Sequence, residues 1–118
     1  MKWVLFFVVA VVVGGLVLVG CSGNHKTESF RINAALVNGK PGFSIGTITV
    51  TQGDKVDIAV GNTTDETHGF SIDQFNIHRV VPPHQTQTVS FTPQETGQFR
   101  IYCQLHPAHM PANMIVVG

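Results

Sequence analysis

The chain has 118 residues, and its 7 Lys+Arg balance its 7 Asp+Glu, so no net charge draws it to nucleic acid or to an anionic membrane surface. The length suits a single domain. An apolar fraction of 43% is ordinary for a globular protein, but much of it lies at the front.

From Trp3 to Val19 the sequence WVLFFVVAVVVGGLVLV carries no charge, and only Met1 and Lys2 precede it. This stretch is longer than a signal-peptide core of roughly 7–15 residues and shorter than a comfortable membrane span of roughly 20. It ends in Leu18-Val19-Gly20-Cys21, which resembles the lipobox of bacterial lipoproteins, where the Cys is lipidated and becomes the mature N-terminus. The expected organisation is therefore a lipoprotein-type signal peptide over residues 1–20, lipidation at Cys21, a tether over 21–28 and one domain over 29–118. The alternative is an uncleaved anchor helix. Both place the domain outside the cytoplasm and tethered to a membrane, at its periplasmic face or at the cell surface. Without residues 1–20, six basic groups face seven acidic ones, a net charge of −1. Two cysteines in an exported protein suggest a disulfide. Here a lipidated Cys21 would sit at the tether and Cys103 lies among histidines, which argues against a Cys21–Cys103 bridge.

Strands are expected throughout the domain. Phe30, Ile32 and Ala34 alternate with Arg31 and Asn33. Ile45 to Val50 leads into the turn signal Thr51-Gln52-Gly53-Asp54, and Val56, Ile58 and Val60 then alternate with Lys55, Asp57 and Ala59, which predicts a hairpin with one buried face. Phe70 and Ile72 mark a short strand, and Thr88 to Phe91 precedes a turn over 92–97. Phe99, Ile101 and Cys103 share one face, with Gln98, Arg100 and Tyr102 on the other, so Cys103 is expected to point inward. Met114 to Val117 suits a core strand. No segment carries a sustained helical period, and short strands separated by Gly/Pro turns predict an all-β antiparallel Greek-key sandwich.

The chemistry gathers near the C-terminus, in Cys103-Gln104-Leu105-His106-Pro107-Ala108-His109-Met110-Pro111. One thiol, two imidazoles and one thioether are the donors that soft or borderline transition metals prefer, and the two prolines restrict the loop that carries them. A third imidazole, His68, lies upstream in Thr67-His68-Gly69-Phe70, between two expected strands. A sandwich can take one ligand from a strand end and the others from a single neighbouring loop. One Cys with three His also suits tetrahedral zinc.

These motifs resemble the cupredoxin superfamily, whose mononuclear copper sites combine an upstream His with a Cys-x-x-His and a further ligand in the last loop. Within it, Gly69-Phe70-Ser71-Ile72-Asp73, the strand entering Cys103, the Cys103-Gln104-Leu105-His106-Pro107 run and His109 before Pro111 resemble the nitrosocyanin-like copper proteins, over most of residues 45–118. That group carries a Glu where this sequence has His68, and its ligand loop is longer by about two residues between the positions of His106 and His109. The resemblance implies a cupredoxin-like copper-binding domain with one copper per chain, held by His68, Cys103 and His106. The fourth ligand it implies is His109, which occupies the Met position of Cys-x-x-His-x-x-Met loops, with Met110 as the alternative.

The remaining candidates have plainer readings. His25 falls in the tether, and His78 and His84 flank Val80-Val81-Pro82-Pro83 without a partner at ligand spacing, which makes them solvated or supporting groups. Asp65, Glu66 and Asp73 are surface or turn charges, Met114 is core, and Phe70 and Phe75 are the aromatics expected beside the site. One-electron transfer with a cytochrome or another copper protein as partner is the function the resemblance implies. The alternatives are an open copper position for small nitrogen oxides, or copper delivery to an oxidase. No nucleophile, base and orienting group stand together, so hydrolytic catalysis is disfavoured.

Overall fold

The computed structural model describes residues 25–118, so the expected signal or anchor segment and Cys21 lie outside the described residues. Among those described, nine strands follow one another: β1 (Thr27–Val37), β2 (Lys40–Phe43), β3 (Thr47–Thr51), β4 (Lys55–Asn62), β5 (His68–Ile72), β6 (Ile77–Val81), β7 (Thr86–Phe91), β8 (Gly97–Ile101) and β9 (Ala112–Val117). A 3-10 turn over Asp73–Phe75 joins β5 to β6, closed by Asn76 in the left-handed region. The all-β sandwich expected from the alternation is the fold that forms.

One sheet has the order β2-β1-β4-β7 and the other the order β3-β9-β8. Their inner faces carry Ile32, Val56, Ile58, Val60 and Val89 from the first sheet, and Ile48, Val50, Ile101, Met114 and Val116 from the second, all buried. Burial of this set is the main stabilising term, at about 25 cal/mol per Å² of apolar surface removed from water.

Two features depart from the expected antiparallel arrangement. β1 pairs with β4 in parallel, Ile32 opposite Val60, and β9 pairs with β3 in parallel, Met114 opposite Ile48. The expected hairpin between the third and fourth strands does not form, because Thr51 to Lys55 carries the chain from one sheet to the other. Alternation reports that a strand has one buried face. Two strands that bury that face against each other across a core read the same as two that pair edge to edge. Strand pairing also begins early: Thr27 and Glu28, inside the stretch assigned to the tether, lie opposite Lys55 and Val56.

The β5–β6 hairpin decides the position of the site. A bridge between Ser71 and Tyr102 fastens β5 to the chain just beyond β8, through Ser71 N–H on Tyr102 O (2.8 Å) and Tyr102 N–H on Ser71 O (3.0 Å). Continued by two residues, this antiparallel register sets Cys103 and Gln104 against the start of β5.

Candidate metal centre

β5 is buried along its whole length, and it opens with His68 and Gly69. Tyr102 to Pro111 connects β8 to β9, and inside it the His109 N–H donates to His106 O (3.0 Å), closing a turn. The Met110 N–H donates to Pro41 O on β2 (3.0 Å), which ties the loop to the first sheet. The loop is thus held from both sheets, and its donors face β5.

The donor atoms of His68, Cys103 and His106 all lie within 4.8 Å of one another. Cys103 Sγ is 3.5 Å from His106 Nδ1 and 4.0 Å from His68 Nδ1. The Gly69 N–H donates to the same sulfur at 3.1 Å. His68 and Cys103 are buried, while the His106 side chain is 37% exposed, with its Nε2 3.9 Å from Glu66 Oε1.

His109 stands beside this cluster. Its ring centroid is 5.0 Å from that of His68 and 4.5 Å from that of Phe43. Its Nδ1 lies 3.1 Å from Met110 O, and a carbonyl only accepts, so Nδ1 carries the hydrogen. Nε2 is then a bare lone pair. It is buried and has no hydrogen-bond partner. A buried polar atom without a partner is costly. His109 is nevertheless not one of the three residues whose donor atoms all lie within 4.8 Å of one another, which are His68, Cys103 and His106. Met110 is 39% exposed, and its side chain lies against Gly42, where a Cβ would come within 2.9 Å of the thioether methyl.

Burial pushes the pKa of His68 below its ordinary value, helped by the nearby His106. Burial does the same to His109, with the Met110 carbonyl opposing it. Both rings are therefore neutral at neutral pH, the form that binds a metal.

The chain matches the family described as "Cupredoxin-like domain" over residues 8–116. It belongs to that family. The nitrous-oxide reductase of Cupriavidus necator is 31% identical over 93 residues, covering 73% of this chain and 14% of the reductase, so this cupredoxin-like chain spans a small part of that relative. Among solved structures, the metal-binding domain of the Cu(I)-exporting P-type ATPase of Streptococcus pneumoniae superposes with a TM-score of 0.68 at 19% identity, covering 80% of this chain and 95% of that one. Auracyanin A, a "blue" copper protein of Chloroflexus aurantiacus, superposes with a TM-score of 0.62 at 16% identity, covering 77% and 99%. These likenesses concern the fold.

Of the two aromatics expected beside the site, Phe70 reaches it indirectly, edge-on to the Phe43 that packs on His109. Phe75 does not, because it packs instead on Phe91 and Phe99. Phe43 was not singled out in the sequence, where Lys40 to Phe43 carries no strong pattern. His84 pairs with exposed Asp65 and His25 with buried Asp54, and neither histidine belongs to the three-residue donor cluster. His78 reaches Ser71 Oγ at 3.2 Å.

Proposed function

We propose that this cupredoxin-like domain is an exported, membrane-tethered mononuclear copper protein that carries single electrons. The observation that carries the reading is the cluster of His68 Nδ1, His106 Nδ1 and Cys103 Sγ with the orphaned His109 Nε2 beside it. In this reading His68, Cys103 and His106 hold the metal and His109 supplies the fourth donor, with Met110 as the alternative. One bound copper supplies a reversible one-electron couple.

The protein's own part is preorganisation. The Ser71–Tyr102 bridge holds the two ligand-bearing segments together, and the Gly69 N–H offsets charge on the sulfur. His109 Nδ1–H on Met110 O aims Nε2 before any metal binds. A ligand set that does not rearrange keeps the cost of electron exchange low, and the half-exposed edge of His106 is the point nearest solvent. Partners are then a cytochrome or another copper protein, and the chain's lack of net charge gives them little long-range steering.

Copper-loaded full-length chain in detergent tests this by optical and electron paramagnetic resonance spectra. The expected result is one copper per chain with intense thiolate-to-Cu(II) charge transfer. A colourless Cu(II) form, or zinc retained against excess copper, overturns it. Tethering is tested separately: mass spectrometry of the membrane-extracted parent protein should find a chain that begins at an acylated Cys21, whereas an unmodified full-length chain would favour an uncleaved anchor.

One observation favours a second reading, the nitrosocyanin-like one. A cleft of about 270 Å³ lined by Arg100, Tyr102, Gln104, Pro107 and the donor-bearing Cys103, His106 and His109 gives a small molecule a route to the cluster. Nitric oxide or azide that changes the spectrum of the unmodified copper protein would favour this reading over a closed carrier.

A further inference from the structure

We infer that Gln104 is a positioning residue for the Cys103 sulfur: it clamps the β5–β6 hairpin to the metal loop and keeps the Gly69 N–H hydrogen bond on Sγ formed and sheltered from water. The clamp itself stands on geometry alone, and only its effect on a copper potential rests on the function proposed above.

Gln104 follows the thiol directly, and its side chain folds back over Gly69 so closely that a Cβ at position 69 would collide with the carboxamide. A side chain at position 69 would have to push the carboxamide out of its present place. The carboxamide is bonded at both ends. Its Nε2 donates to Arg79 O at 2.9 Å, and its Oε1 accepts from Ser71 Oγ at 2.7 Å. Arg79 lies on β6 and Ser71 on β5, so one side chain of the metal loop grips both strands of the hairpin.

Donor and acceptor accounting orders the whole chain of bonds. Arg79 O only accepts, so the nitrogen of the carboxamide faces it and the oxygen faces Ser71. Ser71 then spends its one hydrogen on Gln104. His78 Nδ1, 3.2 Å from the same hydroxyl, must donate to it. His78, Ser71 and Gln104 thus donate in one direction and end on Arg79 O, an arrangement in which each bond polarises the next. His78, which the sequence left as a solvated or supporting group, is the outer anchor of the clamp.

Under this carboxamide lies the buried Gly69, whose N–H points at Sγ at 3.1 Å. Without Gln104 the backbone there is open to water and to movement. A hydrogen bond to a thiolate withdraws charge from it, so weakening the bond should favour the oxidised metal and lower the reduction potential.

The test is amide hydrogen exchange at Gly69, followed by NMR in the metal-free full-length chain. Gln104→Leu should speed Gly69 exchange by roughly fivefold to tenfold, the worth of one ordinary hydrogen bond, and leave Ile58 in the core unchanged. Ser71→Ala, a smaller change that removes one end of the clamp, should give a weaker acceleration at the same amide. Gly69 exchanging at the parent rate in Gln104→Leu overturns the proposal. If Gln104→Leu also loosens Ile58, Ser71→Ala decides, and an unchanged Gly69 there overturns it. In the copper-loaded protein, Gln104→Leu should keep the colour and show a lower potential. A parent chain that forms no coloured copper species rejects the proposed function, and the exchange result still judges the clamp.

Discussion

The two ends of β1 each bury a polar side chain with an unpartnered atom. At the Val37 end, beyond β2, it is His109 Nε2, and at the Thr27 end it is Asp54 Oδ2. Asp54 sits in the turn between β3 and β4, where its other oxygen accepts the Lys26 N–H at 3.1 Å and lies 3.5 Å from His25 Nδ1. The Glu28 carboxyl is close enough to act on it, and itself accepts the Thr51 N–H at 2.9 Å. That arrangement fastens the entering chain to a turn. At the other end the neighbours are the imidazoles of His68 and His106 and the ring of Phe43, with no backbone donor for the free nitrogen. The same local anomaly belongs to a structural fastening in one place, and in the other it is the feature on which the proposed ligand role of His109 rests.

The largest effect that would break this contrast is at the thiol. Cys103→Ser should abolish the charge-transfer absorption of the copper protein while moving stability by only about 1 kcal/mol, because the substitution is small and the core strands do not depend on the sulfur. Absorption surviving in that variant would remove the thiolate from the site.

Next is the fourth donor. His109→Ala should open a position that added imidazole or azide fills with a spectral shift, and Met110→Leu, which keeps the volume, should change little. The reverse order, with the potential moving on Met110→Leu and not on His109→Ala, would return the site to an axial Met.

A smaller effect separates the ends by pH in the metal-free protein. His68 and His109 are depressed by burial below their ordinary 6.5, so the unfolded chain takes up protons that the folded one refuses. Stability should then fall as pH drops below about 6.5 and level off below the depressed values. Asp54 is depressed below 3.8, by the Lys26 N–H first and then by Glu28 and His25, against the opposing effect of burial. Its contribution is present above that value and is lost as pH falls through the lowered one. Unfolding midpoints against pH should show two separate slopes, and Asp54→Asn should flatten only the lower one. A lower slope unchanged by Asp54→Asn would remove Asp54 from the fastening.

The smallest effect is His25→Ala. His25 is 67% exposed, so its pairing with Asp54 is screened by water and its loss should leave the neutral-pH midpoint within error of the parent. A clear loss would make the entering chain, rather than the turn, the stabilising part.

Legibility in the sequence followed the range of the interactions. The alternation of β1, β4 and β8 was readable because burying one face of a strand imposes period two, and it correctly turned Cys103 inward. His106 was readable because a donor three residues from the thiol in one short loop has little freedom to separate from it, whereas His109, in the same loop, lies outside that three-residue cluster. His68 was harder, being 35 residues from the thiol: its place between two expected strands made it a candidate, and the resemblance gave it a role as a ligand. Phe43, Ser71 and Gln104 were not found, because a residue that acts by packing on a ligand or clamping its neighbour leaves no periodic trace. Phe75 was misplaced for the converse reason: an aromatic near the site in sequence packed into a different part of the core.

The amino-acid sequence by itself determined the period of the strands, the all-β class, and the soft and borderline donors gathered in one proline-bounded loop, since each depends on neighbours a few positions apart. Tertiary structure alone decided which sheet each strand joined, the parallel pairings of β1 with β4 and β9 with β3, and the bridge from Ser71 to Tyr102 that sets Cys103 beside His68. It also decided that His109 Nε2 is buried without a partner. Those outcomes depend on which buried faces meet across the core, and a one-dimensional pattern records that a face is buried without recording what it is buried against.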